Sequence, residues 1–138
     1  MIILRVIARC FGLSIILIIS IMIYAQMMVF NVRKDELVNC ISTAMTSTQI
    51  VMQEQIEDMT FKTNTKRKTI HSNQEYLDEF AINFYKLTTT DATFKIKVFG
   101  IDYTKGFLDI EIESQFKMFN GKTKTISSRK TSIVDILL

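Results

Sequence analysis

The sequence predicts an α+β protein in which one N-terminal transmembrane helix continues into a long amphipathic helix, followed by a short second helix and a three-stranded antiparallel β-meander. Three observations carry this prediction. Residues 10–32 contain no charged side chain and are rich in Ile, Leu, Met and Phe. A helical apolar repeat follows, and the last third alternates apolar with charged residues, as strands do. At 138 residues the chain has room for one domain.

The apolar run at residues 10–32 is long enough to cross a bilayer. Twenty helical residues, at roughly 1.5 Å each, cover the roughly 30 Å hydrocarbon layer. A core helix of a soluble protein would show a polar stripe, and this run shows none. A cleaved secretory signal ending near Ala25 is the closer alternative, but apolar residues continue through Phe30, where a signal normally turns polar. We therefore expect a retained anchor.

Basic residues near the ends of this run set its expected orientation. The amino-terminal side carries Arg5, Arg9 and the α-amino group, whereas the two basic residues on the far side are followed at once by acids. Basic residues favour the cytoplasmic side of a membrane. We expect residues 1–9 in the cytoplasm and residues 33–138 outside.

The two cysteines lie far apart on the predicted helix. Cys10 and Cys40 are separated by roughly 45 Å of helical rise, so they cannot form a disulfide within one chain. Cys40 is interpreted as a small apolar residue on a helix face, with an intermolecular disulfide as the alternative.

Beyond the apolar run, the helix is expected to continue over residues 33–59. That stretch has no Gly or Pro, and its apolar residues recur every three or four positions. We interpret this face as an assembly surface. It comprises Leu37, Ile41, Ala44, Met45, Thr48, Met52, Ile56 and Met59.

A polar, basic segment follows at residues 60–71 and is expected to form a solvated loop. The alternative is contact with an anionic lipid or a cell-wall polymer. Such a contact would use Lys62, Lys66, Arg67 and Lys68.

A second helix is predicted over residues 73–87. Ser72 and Glu75 have the spacing of a capping box, in which each side chain satisfies a free backbone N–H at the start of a helix. Apolar residues follow on one face, and a polar run of threonines ends the helix.

Three strands are predicted at residues 93–101, 107–119 and 122–134. Asn-Gly at residues 120–121 supplies the two positive-φ residues of a two-residue hairpin turn, so Phe119 should face Lys122. The same register sets Glu111 opposite Lys130. It also places Arg129 on the apolar face, unless a bulge re-aims that side chain.

In the first hairpin, pairing Val98 with Ile112 stacks the apolar faces and sets Lys97 opposite Glu113. The acidic outer face of the middle strand is then flanked by basic neighbours on both sides. The third strand lies at an edge and is expected to end in the apolar residues 133–138, which a neighbour or another subunit would cover.

Sites for catalysis, metals or cofactors are not predicted. His71 is the only histidine and lies in the basic segment, so no nucleophile–base pair and no zinc site can be drawn. The acidic residues of the middle strand are explained by their basic neighbours. Beyond residue 31 the 15 basic and 14 acidic residues nearly balance, which argues against nucleic-acid binding. We expect no enzyme activity, no cofactor and no small-molecule substrate.

In layout, the chain resembles the TadE/TadG-like, pilin-like minor pseudopilins of the tight-adherence pilus group. The resemblance lies in the N-terminal arginine before the apolar helix of residues 10–32, the amphipathic continuation, and the meander that ends in Ser-Arg-Lys-Thr-Ser-Ile at residues 128–133. It implies a structural subunit held in the bacterial cytoplasmic membrane, which packs into a filament or its tip complex. The implied partners are membrane lipid and other pilin-like or apparatus subunits.

Two other functions fit the same layout. The chain would alternatively be an uncleaved, single-pass accessory subunit of a conjugation, secretion or competence complex, in which the helix is only an anchor. A membrane-tethered ligand-binding domain is the second alternative. About nine residues on the cytoplasmic side leave little room for signalling by this chain alone.

Overall fold

A computed structural model describes residues 2–61, 69–88 and 91–134 and confirms the α+β class. Two helices precede a three-stranded antiparallel sheet whose strands lie in chain order. The elements are α1 at Ile2–Phe61, α2 at Asn73–Leu87, β1 at Ala92–Asp102, a 3₁₀ turn at Tyr103–Lys105, β2 at Phe107–Lys117 and β3 at Thr123–Ser132.

Helix α1 runs for 60 residues without interruption, so the apolar run and the amphipathic stretch form one rod. At 1.5 Å per residue the rod is roughly 90 Å long. Hydroxyl groups along it are satisfied locally: Ser14 and Ser20 donate to the carbonyls of Cys10 and Ile16, each at 2.9 Å. Internal hydrogen bonds of this kind make serine compatible with apolar surroundings.

The core lies between one face of the sheet and the two helices. Leu108, Ile110 and Ile112 of β2 are fully buried, and Phe80 and Phe84 of α2 pack against the same cluster. Contacts join α1 to both α2 and β3. The alternation of β2, apolar inward and charged outward, is therefore the pattern that the sequence predicts.

The predicted assembly face of α1 belongs to this core. Six of its eight residues are buried within the chain itself: Leu37, Ile41, Ala44, Met45, Thr48 and Met52. The side chains of Ile56 and Met59 lie outside the described residues. The assembly interpretation of this face is corrected, because the sheet and α2 need the same apolar stripe to cover their own inner faces.

The predicted register of the second hairpin is wrong by one residue. The backbone N–H of Met118 donates to Lys122 O at 2.9 Å, and the backbone N–H of Gly121 donates to Met118 O at 2.8 Å. Gly121 has a φ of 76°. This is a three-residue loop, a turn followed by a left-handed glycine, rather than a two-residue turn. Glu111 therefore pairs with Arg129 instead of Lys130. The extra loop residue moves Arg129 to the outer face, so no bulge is needed to re-aim it.

The predicted register of the first hairpin is wrong by two residues. Val98 pairs with Ile110 and Ile96 with Ile112, because a bulge at Phe99 and the 3₁₀ turn alter the length of the connection. A two-residue shift keeps each side chain on its predicted face. The predicted neighbours Lys97 and Glu113 still form an ion pair, now on a diagonal.

Strand β3 ends at Ser132 and is polar, with Ile126 as its only buried residue. The expectation that apolar residues 133–138 belong to this edge strand is therefore wrong for Ile133 and Val134. Ile133 is exposed and follows the strand, while residues 135–138 lie outside the described residues.

The cap of α2 is confirmed in part. Ser72 Oγ accepts from Glu75 N at 3.2 Å, as expected. The Glu75 carboxylate instead accepts from the backbone N–H of His71, one residue before the expected donor, at 2.7 Å. The side chain of His71 is exposed.

Candidate functional site

The N-terminal part of α1 exposes its apolar side chains on every side. Ile3, Phe11, Leu13 and Tyr24 each expose 68 % or more of their surface, and the exposed Ile and Leu residues between them expose 43 % or more. Monomeric soluble proteins rarely expose contiguous apolar surface on this scale. This projecting rod is the dominant surface feature of the described chain.

By length and composition, α1 is the one helix among the described residues that is able to cross a membrane, and its most apolar stretch has no buried residue. The core helix of a soluble protein would be largely buried there. The sheet and α2 leave this part of the rod uncovered because the core contacts of α1 begin further along it, at Val29 and Phe30.

The β2–β3 hairpin lies alongside α1 and reaches down towards the exposed rod. Lys130 Nζ donates to Ser42 Oγ at 2.6 Å, which fixes the upper end of this contact. At the lower end, Met118 and Lys124 line a groove with helix residues between Ile23 and Asn31. Met118 is buried, and Phe30 packs against the core cluster.

Arg33 joins the rod to the base of the sheet. Its guanidinium donates to Glu36 at 3.2 Å and also to Asp91, immediately before β1. The guanidinium carbon lies 6.0 Å from the centre of the Phe116 ring. Such charge-assisted contacts hold the lower end of the sheet at a fixed level on the helix.

On the outer face of the sheet, Arg129 and Asp109 form a two-point ion pair with distances of 3.0 and 2.7 Å. A hydrogen bond from Arg129 and, to a smaller extent, one from Thr131 hold the pKa of Asp109 below its ordinary value of 3.8. The Arg129 guanidinium also lies 4.1 Å from the centre of the Phe99 ring. The Arg129 side chain is exposed, the Asp109 side chain is largely covered, and the two opposite charges are paired.

Lys97 bridges the two other carboxylates of β2. It pairs with Glu113, and its ammonium lies 3.9 Å from Glu111. The hydrogen bond to Glu113 raises the pKa of Lys97 and lowers the pKa of that carboxyl. As the sequence predicts, the acidic face of β2 is matched by basic neighbours on both sides.

Cys40 is buried and donates a weak hydrogen bond to the carbonyl of Leu87 at 3.4 Å. Burial, and to a lesser extent the Glu36 carboxylate, raises the pKa of the thiol. A buried, protonated thiol is a poor nucleophile, so the structural interpretation of Cys40 is favoured over a disulfide between chains. Cys10 is exposed on the rod.

Within residues 2–61, 69–88 and 91–134, no group of histidine, cysteine and carboxylate side chains is arranged to hold a metal ion. The basic segment proposed for anionic contacts, Lys62, Lys66, Arg67 and Lys68, lies outside the described residues.

Sequence reasoning missed the groove between the hairpin and α1. A signal was present: Phe119 is an apolar residue in a polar turn, and the flanking residues include three lysines but no acid. To interpret Phe119 and its neighbouring lysines, the position of the turn relative to α1 must be known. The periodicity of the sequence does not predict that position.

No family model matches the chain, and comparisons with curated proteins and with solved structures found no significantly similar protein.

Proposed function

We propose that the chain is a single-pass membrane protein that serves as a pilin-like structural subunit of a pilus or secretion-type surface apparatus. The observation that carries this proposal is the continuous helix α1, whose first half exposes apolar side chains while its second half is built into the core. A rod of this kind joins a lipid-embedded segment rigidly to a folded domain.

The same geometry supports a retained anchor over a cleaved signal. Cleavage after Ala25 would remove Ile23, which helps to line the groove beneath the hairpin. It would also create a charged amino terminus directly beside the apolar contact of Phe30 with the core.

Contacts between subunits would use the exposed part of the rod and the edges of the sheet. The stripe from Leu37 to Met52 is already covered within the chain, so it contributes rigidity rather than an interface. Outward-facing edges of β1 and β3 remain for strand-edge contacts with other subunits.

Disulfide scanning of the rod tests the structural-subunit proposal. In a Cys10→Ser background, which keeps the buried Cys40, one cysteine at a time is placed at residues 13–20 and oxidised in native membranes. We expect crosslinking between chains to peak every three to four residues, because packed helices meet along one face. Ile50→Cys, exposed on α1 beyond the groove, serves as the control for random collision.

Uniform or background crosslinking along the rod would contradict helix packing between subunits. It would favour the second candidate, an accessory subunit anchored by a passive helix. Protease treatment of spheroplasts tests the proposed orientation, since a domain outside the membrane is digested and a domain inside is protected.

A further inference from the structure

The turn between β2 and β3 carries an exposed aromatic ring in a basic setting. Phe119 is 82 % exposed, more than any other large apolar side chain of the described residues. Three exposed lysines surround the turn, and no acidic residue occurs between Glu113 and Asp135. These turn lysines are Lys117, Lys122 and Lys124.

The position of this turn along α1 follows from two contacts. The strand contact runs from Lys130, bonded to Ser42, down to Lys124, in the groove with Met27. Six strand residues span roughly 20 Å. The fifteen helical residues between Ser42 and Met27 span roughly 22 Å. The two spans match, as expected for a strand β3 that contacts α1 along its length and whose turn lies level with the groove.

The level of the lipid surface on α1 can be placed independently. Counted from Cys10, the first residue after Arg9, twenty helical residues end at Val29 and cover roughly 30 Å of hydrocarbon. Residues Ile23 to Asn31, which line the groove, straddle that limit. With α1 in a membrane, the turn would lie at the level where hydrocarbon gives way to headgroups.

We propose that the β2–β3 turn is a membrane-contacting foot, in which Phe119 enters the headgroup boundary and the turn lysines bind anionic lipid headgroups. The inference rests on the proposed function, since it needs α1 in a membrane. An aromatic ring beside lysines is the combination that interfacial segments use, burying the ring and attracting anionic lipid. The foot would fix the sheet against the bilayer and limit its tilt.

Tryptophan fluorescence tests this contact, because the chain has no tryptophan of its own. Full-length Phe119→Trp protein is reconstituted into phosphatidylcholine vesicles with and without phosphatidylglycerol. The matched control is Phe99→Trp, an exposed aromatic position roughly 30 Å further along the same sheet. Lipids brominated close to the headgroup serve as quenchers.

We expect the emission of Phe119→Trp to be blue-shifted and quenched by brominated lipid, more strongly when phosphatidylglycerol is present. Phe99→Trp should be neither shifted nor quenched. Replacing the three turn lysines by glutamine should remove the dependence on phosphatidylglycerol.

Flotation of the same vesicles separates the failure of this inference from that of the proposed function. If the Phe119→Trp protein floats with lipid but its emission and quenching match those of the control, the proposed lipid contact of the turn is wrong. Membrane anchoring by α1 is then still supported. A blue shift without lipid quenching would mean that a protein surface covers the turn, which also overturns the foot. A protein that does not float contradicts membrane anchoring by α1. The lipid contact of the turn, which depends on that anchoring, is then also contradicted.

Discussion

The side-chain amide of Gln55 holds the backbone of Ile70 at two points. Gln55 Oε1 accepts from Ile70 N–H at 2.8 Å, and Gln55 Nε2 donates to Ile70 C=O at 3.0 Å. Both residues are buried, so neither backbone group of Ile70 has ready access to water. The pair fastens the chain to the upper part of α1 just before α2 begins.

Replacing Gln55 with alanine should lower the free energy of unfolding by about 1–3 kcal/mol, because it leaves two buried backbone groups without partners. The measurement is thermal or denaturant unfolding of the full chain in a mild detergent. Gln115→Ala, on the exposed outer face of β2, is the control and should change stability by less than about 0.5 kcal/mol. Equal losses for the two variants would contradict the two-point contact.

The two left-handed glycines provide a matched pair for testing the corner between β1 and β2. Gly106 has a φ of 59° and Gly121 a φ of 76°. A Cβ at Gly106 would lie 2.5 Å from Val134 Cγ2, whereas a Cβ at Gly121 would meet no atom within 4 Å. Gly121→Ala should therefore cost only the backbone term of about 1–2 kcal/mol. Gly106→Ala should cost clearly more, and comparable losses would show that Val134 does not pack there.

Tyr76 should make the fold sensitive to alkali. Its hydroxyl donates to Gly106 O at 3.1 Å, and burial raises its pKa from 10.0 to about 12. The folded state thus favours the neutral phenol, so this contribution is complete below pH 10.0 and is lost as pH rises through about 12. Tyr76→Phe should cost about 1 kcal/mol at neutral pH.

Alkaline unfolding curves of the wild type and Tyr76→Phe provide the measurement. The difference between them should shrink as pH rises above 10.0, since only the wild type has a phenol here, and its ionisation in the unfolded chain favours unfolding. A difference that does not vary with pH would contradict the burial of the hydroxyl.

The Arg129–Asp109 pair should contribute an acid-dependent part of stability. Because the pKa of Asp109 is lowered in the folded state, its contribution is present above the unfolded value near 3.8 and is lost as pH falls through the folded value. Arg129→Gln should therefore be less stable than the wild type at neutral pH, with a gap that narrows below about pH 4. Thermal unfolding between neutral and acidic pH checks this, and a gap independent of pH would count against the pair.

The order of the elements was predictable because it rests on periodicity alone. The uncharged run, the apolar stripe from Leu37 to Met52 and the alternation of β2 each indicate one element and one buried face. These patterns do not say which partner covers a face. The stripe of α1 therefore resembles an interface between subunits in the sequence, although it packs on the sheet and α2 of its own chain.

Strand register was less predictable because it depends on loop conformation. Asn120-Gly121 is compatible with both a two-residue and a three-residue turn, and one residue of difference moves Arg129 from the inner face to the outer face. The unfavourable placement of Arg129 in the predicted register was itself a sign that the longer loop was correct. The bulge at Phe99 left no comparable sign in the charge pattern.

Alkaline carbonate extraction tests the central claim, that the N-terminal part of α1 spans a membrane. Ile16→Arg with Ile19→Arg places two charges near the middle of the span, at a cost of about 5–7 kcal/mol for insertion. Thr43→Arg with Thr46→Arg, at the same spacing on an exposed face further along α1, is the control. We expect the wild type and the threonine variant to stay with the membrane pellet and the isoleucine variant to leave it. Release of the wild type, or retention of all three proteins, would contradict a membrane-spanning α1.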